Sequence, residues 1–266
     1  MPERSYALIT GASSGIGDCF ARALAARGRD LVLVARSRDK LAKLAQELIA
    51  RHAVRVEAMP VDLSEPGAAA RLAQLLRERR LAIDLLINNA GFGAQGEFWR
   101  LPLERQSQMI DLNIRALVEL TYLLLPALVE SPRGAIVNVS STASFQPVPY
   151  TAVYSASKAF VTSFSMAIAE ELRPYGVRVV TLCPGGTRTN FFDASDYEKR
   201  DFAGGLQTPE EVVKVGLKAL DSGRGLAISG WLNRLQVASQ RLAPRALVVK
   251  FAGDMFRPKR AEDRRQ

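Results

Sequence analysis

Cysteine and histidine are scarce in this sequence. The chain has 266 residues but only two cysteines, Cys19 and Cys183, and neither lies in a C-x-x-C pair or another metal-ligand spacing. His52 is the single histidine, so no second histidine can share a metal with it, and we expect it at the surface. These absences exclude a disulfide framework, predict no metal site and are typical of reduced thiols in a cytoplasmic protein.

Long hydrophobic runs are missing as well. The most apolar stretch, residues 116–129, is interrupted by Glu119 and Pro126 and is too short to cross a bilayer. The chain starts with Met1-Pro2-Glu3-Arg4 and continues directly into apolar residues, which leaves no room for a signal peptide. We therefore expect a cytoplasmic location, no transmembrane segment and at most weak contact with a membrane surface.

Acidic residues are fewer than basic ones in this sequence. Because 36 lysines and arginines stand against 27 acidic residues, the formal net charge is +9. The basic residues are scattered except in the last ten positions, where five of them form a tail that we expect to be flexible. No nucleic-acid motif accompanies the charge, so we expect anionic small molecules rather than nucleic acid as ligands.

Apolar residues make up 48% of the chain and no repeat is present, which is typical of one globular domain. Short apolar segments of the kind that form buried strands alternate with helical patterns. The predicted strands are 7–10, 31–35, 54–61, 85–88, 135–139, 177–182 and, more weakly, 226–229. This alternation predicts a doubly wound α/β domain, in which helices cover both faces of a mostly parallel sheet and nucleotides bind at the carboxyl ends of the strands.

A glycine-rich segment follows the first predicted strand. Thr10-Gly11-Ala12-Ser13-Ser14-Gly15-Ile16-Gly17 precedes a helical pattern at 18–27. Glycines at such a junction let the backbone approach a pyrophosphate, and the helix N-terminus offers free N–H groups to it. The spacing G-x-x-x-G-x-G is neither that of a P-loop nor G-x-G-x-x-G. The segment also matches the G-x-S-x-G elbow of α/β serine hydrolases, but His52 lies before any acid partner at the later strands, which is the wrong order for that family.

The end of the second strand predicts the cofactor. Ala35-Arg36-Ser37 has no carboxylate for the 2′-hydroxyl of an NAD ribose, and a small residue followed by arginine provides room and charge for the 2′-phosphate of NADP. The alternative is that Arg36 and Arg38 are only exposed residues of a surface loop. At the end of the third strand, the carboxylate of Asp62 could accept the adenine amino group or cap the next helix.

Three further strands end in small or polar residues. Asn88-Asn89-Ala90-Gly91 follows the fourth strand, so its backbone can lie against a cofactor, and Ser141 follows the fifth. After the sixth strand, the turn at 183–189 carries hydroxyl and N–H groups that could face a second part of the ligand. Asn113 lies among apolar residues in a helical pattern at 103–126, so it must be hydrogen-bonded, either for the core or for function.

Tyr154 and Lys158 lie four residues apart in a helical segment, so both side chains share one helical face. A phenol titrates near ~10 in isolation and is a poor proton donor or base at neutral pH. An ammonium one turn away stabilises the phenolate, so we expect Lys158 to lower the pKa of Tyr154. An isolated pair of this kind is common at surfaces, and its significance here depends on the other motifs.

Taken in order and spacing, these motifs resemble the short-chain dehydrogenase/reductase family over about residues 5 to 230. The resemblance implies a single Rossmann-type domain that moves a hydride between NADP(H) and a carbonyl or secondary alcohol. It implies that Tyr154 is the acid/base, that Lys158 lowers its pKa and holds the nicotinamide ribose, and that Ser141 hydrogen-bonds the substrate oxygen. Asn113 would steady the water through which protons are exchanged.

The resemblance also implies an NADP-preferring branch, its cofactor contacts and its assembly. The implied cofactor-binding residues are Gly11, Ser13, Ser14, Gly15, Ile16, Gly17, Arg36, Ser37, Asp62, Leu63, Asn89, Ala90, Gly91, Tyr154, Lys158, Pro184, Gly185, Thr187 and Thr189. Family members commonly pair through the two long helices, here at 103–126 and 153–174, so we expect a homodimer or homotetramer.

The C-terminal part departs from the compact members of the family. We expect a catalytic domain at 1–230, a helical extension at 231–256 and the basic tail at 257–266. The extension has apolar residues at helical spacing, which favours packing on the domain or on a partner subunit over binding at a membrane surface. These apolar residues are Trp231, Leu235, Ala238 and Leu242. Aromatic residues that could cover an apolar substrate pocket with the extension are Phe191, Phe192, Tyr197 and Phe202.

A second function remains open. A non-catalytic NADP(H)-binding sensor or scaffold would keep the fold but perform no turnover. The complete set of Ser141, Tyr154 and Lys158 argues against it, because a sensor does not need a poised phenol. The sequence therefore favours an oxidoreductase of carbonyl reductase type, with an apolar small-molecule carbonyl or alcohol as its substrate.

Overall fold

Seven parallel strands form the centre of the computed structural model, which describes residues 5–189, 205–240 and 243–258. The strands are β1 Ser5–Thr10, β2 Asp30–Ala35, β3 Val56–Pro60, β4 Ala82–Asn88, β5 Ala135–Val139, β6 Arg178–Cys183 and β7 Leu226–Ile228. Their order across the sheet is β3-β2-β1-β4-β5-β6-β7, and every neighbouring pair is parallel. The strand order changes direction between β1 and β4, which is where doubly wound sheets bind ligands.

Helices cover both faces of this sheet, as the alternating pattern predicted. They are α1 Gly15–Ala26, α2 Arg38–His52, α3 Ala68–Glu78, α4 Leu103–Ile110, α5 Ala116–Glu130, α6 Ala152–Leu172, α7 Pro209–Asp221, α8 Trp231–Ser239 and α9 Arg245–Phe256. One apolar core lies between the sheet and α1, α2 and α7, and a second lies between the sheet and α3, α5 and α6. Because both faces are buried, the central strands are continuously apolar rather than alternating.

The helical pattern at 103–126 is divided into two helices. A π-helical segment, Asp111–Arg115, separates α4 from α5 and contains Asn113. The combined stretch Leu103–Glu130 is, among the described residues, long and apolar enough to cross a membrane, contrary to our expectation from the sequence. Length and composition alone are weak support for a span, because Leu120 and Leu124 belong to the apolar core of the domain.

Buried hydrogen bonds fix α6 against the sheet. Asn138 of β5 donates to the hydroxyl of Ser165 at 2.8 Å, and its carboxamide oxygen accepts from Asn88 of β4 at 2.9 Å. Ser140 donates to the carbonyl of Lys158 at 2.9 Å. Because buried polar groups need partners, these bonds hold α6, at Lys158 and at Ser165, against the carboxyl end of β5.

The C-terminal extension forms α8 and α9, and its apolar stripe faces outward. Trp231 and Leu235 are 73% and 61% exposed, whereas Val237 is the residue of α8 that is buried. Packing of the stripe on its own domain, one of our two expectations, is therefore wrong for these two side chains. Phe191, Phe192, Tyr197, Phe202 and Leu242, and the tail beyond residue 258, lie outside the described residues.

Candidate active site

A cleft of about 520 Å³ opens at the carboxyl ends of the strands. It brings together the segments that sequence analysis picked out separately, from the glycine-rich turn to the turn after β6. Every cofactor-binding residue implied by the resemblance lines this cleft except Gly17, and Ser141 lines it with Tyr154 and Lys158. Asn113 lies behind the wall rather than in it, because it is buried and is not among the lining residues.

The glycine-rich turn connects β1 to α1 and is compact for steric reasons. Gly11 and Gly15 have φ values of 66° and 57°, a conformation that L side chains rarely adopt. A Cβ at Gly17 would lie 2.3 Å from the carbonyl oxygen of Gly11 and 2.6 Å from Nδ2 of Asn89. The turn thus delivers the N-terminus of α1, with its unpaired N–H groups, to the floor of the cleft.

Replacing Gly17 by alanine should therefore move the turn. Because the new methyl group meets backbone rather than a flexible side chain, we expect the free energy of unfolding to fall by about 1–3 kcal/mol and dinucleotide affinity to fall with it. Urea unfolding and a titration with NADPH measure the two effects. Gly225→Ala is the matched control, since the nearest atom to its added Cβ is 3.8 Å away; an equal loss in both variants would contradict the steric argument.

Thr10 and Asn89 tie this turn to the end of β4. The hydroxyl oxygen of Thr10 accepts the backbone N–H groups of Asn89 and Ala90, each at 2.9 Å. The Asn89 side chain donates to the carbonyls of Thr10 and Gly11 at 2.9 and 3.3 Å. Asn89 and Thr10 therefore support the turn together, and this role of Thr10 was not predicted from the sequence.

The adenosine end of the cleft is formed by the ends of β2 and β3. Arg36 is exposed, lines the cleft and lies 3.9 Å from a carboxylate oxygen of Asp62. The other oxygen of Asp62 accepts both the N–H and the hydroxyl of Ser64, so the carboxylate is held in a local turn. Gly67, not Asp62, precedes α3, which makes the helix-capping alternative for Asp62 wrong.

Two cations face this end of the cleft rather than one. Lys40, in the first turn of α2, lines the cleft with Arg36, whereas Arg38 is not among the lining residues. Lys40 was missed because it falls within a helix, where an exposed lysine is unremarkable. Its position one turn after Ser37 at the start of α2 is the signal that could have identified it.

Tyr154 and Lys158 occupy the face of α6 that looks into the cleft. Nζ of Lys158 donates to the carbonyl of Val139 at 2.9 Å and lies 6.0 Å from the centre of the Tyr154 ring. The hydroxyls of Ser141 and Tyr154 are hydrogen-bonded to each other. The Ser141 oxygen also accepts the N–H of Ala143 at 3.1 Å, which fixes its direction at the end of β5. A phenol, an ammonium and a hydroxyl from two distant segments thus converge.

Burial dominates the protonation of this group. It raises the pKa of Tyr154 to about 12, against a smaller lowering by the hydrogen bond from Ser141. It lowers the pKa of Lys158 to about 8. The net pKa of the phenol is therefore raised rather than lowered in this chain, because removing the phenolate from water costs more than its neighbours return. At neutral pH Tyr154 is a protonated phenol.

Asn113 holds the backbone of Phe92, which forms part of the cleft wall beside Lys158. Its side chain accepts the N–H of Phe92 at 3.1 Å and donates to the carbonyl of Phe92 and the hydroxyl of Ser157, each at 3.0 Å. A Cβ on Gly91 would lie 2.9 Å from its oxygen and 3.4 Å from Nζ of Lys158, so the two side chains converge behind one glycine. The structure thus accounts for Asn113 by its hydrogen bonds, and a water held there stays a prediction.

The turn after β6 closes the other side of the cleft. The carbonyl of Pro184 accepts the N–H of Thr142 at 2.8 Å, and Thr187 donates to the carbonyl of Gly185 at 3.0 Å. Gly185 packs against the side chain of Asn233 in α8, where a Cβ would lie 2.3 Å from Nδ2. This contact links the predicted cofactor turn to the C-terminal extension.

Sequence reasoning did not identify the lining residues on the substrate side of the cleft. They are Phe92, Gln146, Val148, Thr151, Asn233, Gln236, Met255 and Phe256. Gln95 donates to the carbonyl of Phe256 at 2.9 Å, which joins the loop after β4 to the end of α9. The extension therefore contributes to the cleft, although through residues other than its apolar stripe.

The remaining candidates do not reach the cleft. His52 is the last residue of α2 and is not a lining residue, so Ser13 lacks the histidine that a serine hydrolase needs. Within the described residues, no group of three or more His, Cys, Asp and Glu side chains could hold a metal. Cys19 and Cys183 are buried and unpaired.

The cleft fits a nicotinamide dinucleotide. Glycines that cannot carry a side chain and the N-terminus of α1 suit a pyrophosphate, and a phenol, a lysine and a serine line the same cleft. Fold and site together define a dinucleotide-dependent α/β oxidoreductase. The family model for short chain dehydrogenases matches residues 5–200, so the chain belongs to that family and acts on CH–OH or C=O groups.

Known proteins similar to this chain include two curated relatives and one solved structure. The ketoacyl reductase HetN of Nostoc sp. is 32% identical over 97% of this chain and 92% of its own length. Sulfoacetaldehyde reductase 2 of Chromohalobacter salexigens is 40% identical over 69% of this chain and 73% of its own length. A short-chain dehydrogenase from Sphingobium yanoikuyae in complex with NADPH superposes with a TM-score of 0.80, at 36% identity over 90% of this chain and 94% of that one.

Proposed function

We propose that this protein is an NADP(H)-dependent carbonyl reductase that reduces apolar ketones or aldehydes. The observation that carries the proposal is the hydrogen-bonded pair of Ser141 and Tyr154 beside Lys158, in one cleft with the glycine-rich turn. As carbonyl carbon is reduced, negative charge grows on its oxygen, and two preorganised O–H donors at that oxygen stabilise it.

Protonation states suit the reductive direction. When bound, the reduced nicotinamide supplies the hydride. Tyr154 is protonated at neutral pH and gives its proton to the developing alkoxide, while Ser141 keeps the oxygen in place through a hydrogen bond. Lys158 stabilises the phenolate left behind, and the hydrogen bonds of Asn113 hold the backbone that faces Nζ.

A preference for NADP(H) follows from the end of β2. Ala35 offers no carboxylate, and Arg36 and Lys40 both line the cleft where a 2′-phosphate would lie. The Sphingobium yanoikuyae relative was solved with NADPH, which supports the same cofactor here. An ion pair of 3.9 Å between the exposed Arg36 and Asp62 is weak, so the guanidinium is available to a phosphate.

The double variant Ala35→Asp/Arg36→Ala should weaken NADPH binding relative to NADH. The new carboxylate repels the 2′-phosphate and the lost guanidinium removes one of its partners, so we expect the ratio of the two dissociation constants to shift by about one to two orders of magnitude. Titrations with each nucleotide measure it. Arg38→Ala removes a neighbouring exposed arginine that does not line the cleft, and an equal shift there would contradict the assignment.

The substrate side of the cleft favours an apolar molecule with one carbonyl. Phe92, Val148, Met255 and Phe256 provide apolar surface in the cleft that Ser141 and Tyr154 also line. The amides of Gln146, Asn233 and Gln236 provide a few hydrogen bonds at its edge. The two curated relatives are named as reductases of a ketoacyl group and of an aldehyde, which supports reduction of C=O as the reaction.

The test is consumption of NADPH with a panel of ketones, aldehydes, quinones and 3-oxoacyl thioesters. Turnover with a member of this panel supports the reductase. A chain that binds NADPH tightly but consumes none with any of them would instead be the sensor or scaffold that shares the fold.

We further propose that the enzyme is cytoplasmic and works as a homodimer or homotetramer.

A further inference from the structure

Helix α8 has two faces with different surroundings. Asn233 and Gln236 line the cleft and Val237 is buried, so this side of the helix belongs to the domain. Trp231 and Leu235 lie one turn apart on the side away from it and are 73% and 61% exposed. The helix thus presents two large apolar side chains to solvent at the border of the substrate cleft.

Helix α9 repeats this arrangement. Met255 and Phe256 line the cleft, and the methyl group of Ala252 is buried. Leu247 and Phe251, again one turn apart, are 60% and 68% exposed. We call Trp231, Leu235, Leu247 and Phe251 the outer face of the C-terminal helices.

Single exposed apolar residues are ordinary, but here two pairs of large apolar side chains each repeat at helical spacing. Four large side chains project from two helices that border the same cleft. Removing each of them from water would stabilise the complex that buries it. Such surfaces mark contact with another apolar surface, which is either protein or membrane. Charge decides between these two.

Positive charge is concentrated in the same part of the chain. Residues 231–266 contain nine lysines and arginines and three acidic residues, a net charge of +6, whereas residues 1–230 contribute the remaining +3 of the total. Arg245, Lys250 and Arg257 are exposed on or beside α9. Asp254, the one acidic residue within α9, is paired with Arg257 at 3.4 Å.

We propose that the outer face of the C-terminal helices binds the surface of an anionic lipid bilayer. Two amphipathic helices lying in the interface bury apolar side chains among the acyl chains while flanking lysines and arginines contact the headgroups. Pairing with a second copy through this face would bring together two surfaces on which Arg234, Arg245, Lys250 and Arg257 outnumber Asp254, because a two-fold interface brings the same surface together. An anionic membrane offers both the apolar depth and the opposite charge.

This docking has a consequence for the substrate, and that consequence rests on the proposed function. Gln236 of α8, together with Met255 and Phe256 at the C-terminal end of α9, lines the substrate side of the cleft. With the outer face in the bilayer, the mouth of the cleft borders the lipid. The enzyme would then take a lipophilic carbonyl compound from the membrane rather than from water.

Flotation with lipid vesicles tests the docking without any turnover. The full chain is mixed with vesicles of phosphatidylcholine alone or of phosphatidylcholine with phosphatidylglycerol. We expect binding to the anionic vesicles that weakens as salt is added, and little to the neutral ones. Leu235→Ser/Phe251→Ser should lower the affinity for anionic vesicles about tenfold or more, since it removes two of the four apolar anchors.

The matched control is Ile49→Ser/Tyr175→Ser. These residues are also exposed, at 46% and 62%, but they lie near the amino ends of the strands, away from the cleft. NADPH binding measures whether either double variant is still folded. An equal loss in the control, or no binding of the folded chain to anionic vesicles, overturns the proposal. A concentration-dependent dimer that Leu235→Ser/Phe251→Ser abolishes, without vesicle binding, would assign the face to a partner subunit instead.

Discussion

Replacing Tyr154 by phenylalanine is expected to lower kcat for carbonyl reduction by about two to four orders of magnitude, the usual scale for the loss of a general acid. The variant removes one oxygen atom and keeps the ring that packs beside Nζ of Lys158. Because the glycine-rich turn that we propose as the pyrophosphate site is untouched, the dissociation constant for NADPH should change little. Steady-state kinetics with an accepted ketone and a fluorescence titration with NADPH measure the two effects separately.

Tyr175→Phe provides the control for this prediction. Tyr175 is 62% exposed and lies after α6, so loss of its hydroxyl should leave both constants unchanged. Near-native kcat in Tyr154→Phe would remove the phenol from the reaction. Loss of NADPH binding together with activity would show that the hydroxyl supports the site rather than the chemistry.

The strands could be predicted closely because buried parallel strands are continuously apolar. β5 was predicted at its observed bounds, Ala135–Val139, where all five residues are buried. β4 begins at Ala82, three residues before the predicted start. The prediction began at Leu85 because Asp84 interrupts the apolar run. Asp84 is tolerated there since Ser5 donates to it at 2.7 Å and Arg29 pairs with it. A single sequence does not reveal that such a partner will be present.

The cofactor side of the cleft could also be predicted, because strand ends of one parallel sheet must meet at one edge. The substrate side could not. Gln236, Met255 and Phe256 reach the cleft from helices whose position depends on tertiary contacts such as the bond from Gln95 to Phe256. The raised pKa of Tyr154 was not predicted, for a similar reason. The spacing to Lys158 is local and visible in the sequence, whereas burial is a property of the whole fold.

Lys158→Met should abolish most of the activity, lowering kcat by at least about a hundredfold, because the phenolate of Tyr154 loses the ammonium that lies beside its ring. Methionine fills a similar volume, so packing on α6 is retained. Lys214→Met, which changes an exposed lysine of α7, is the control and should be fully active. Activity retained in Lys158→Met would contradict the role of the charge.

The same variant predicts a change in how stability depends on pH. Burial lowers the pKa of Lys158 from 10.5 to about 8 in the folded chain. Between these two values the unfolded chain carries a proton that the folded chain does not, so rising pH stabilises the native enzyme through this group by about 1.4 kcal/mol per pH unit. Below pH 8 both states are protonated and the contribution is constant.

Lys158→Met lacks the group, so its free energy of unfolding, measured in urea at pH 7 and pH 9.5, should fall relative to the native enzyme as pH rises. Parallel curves for the two proteins, with Lys214→Met matching the native enzyme, would mean that Lys158 is not held in the buried site that the reduction requires.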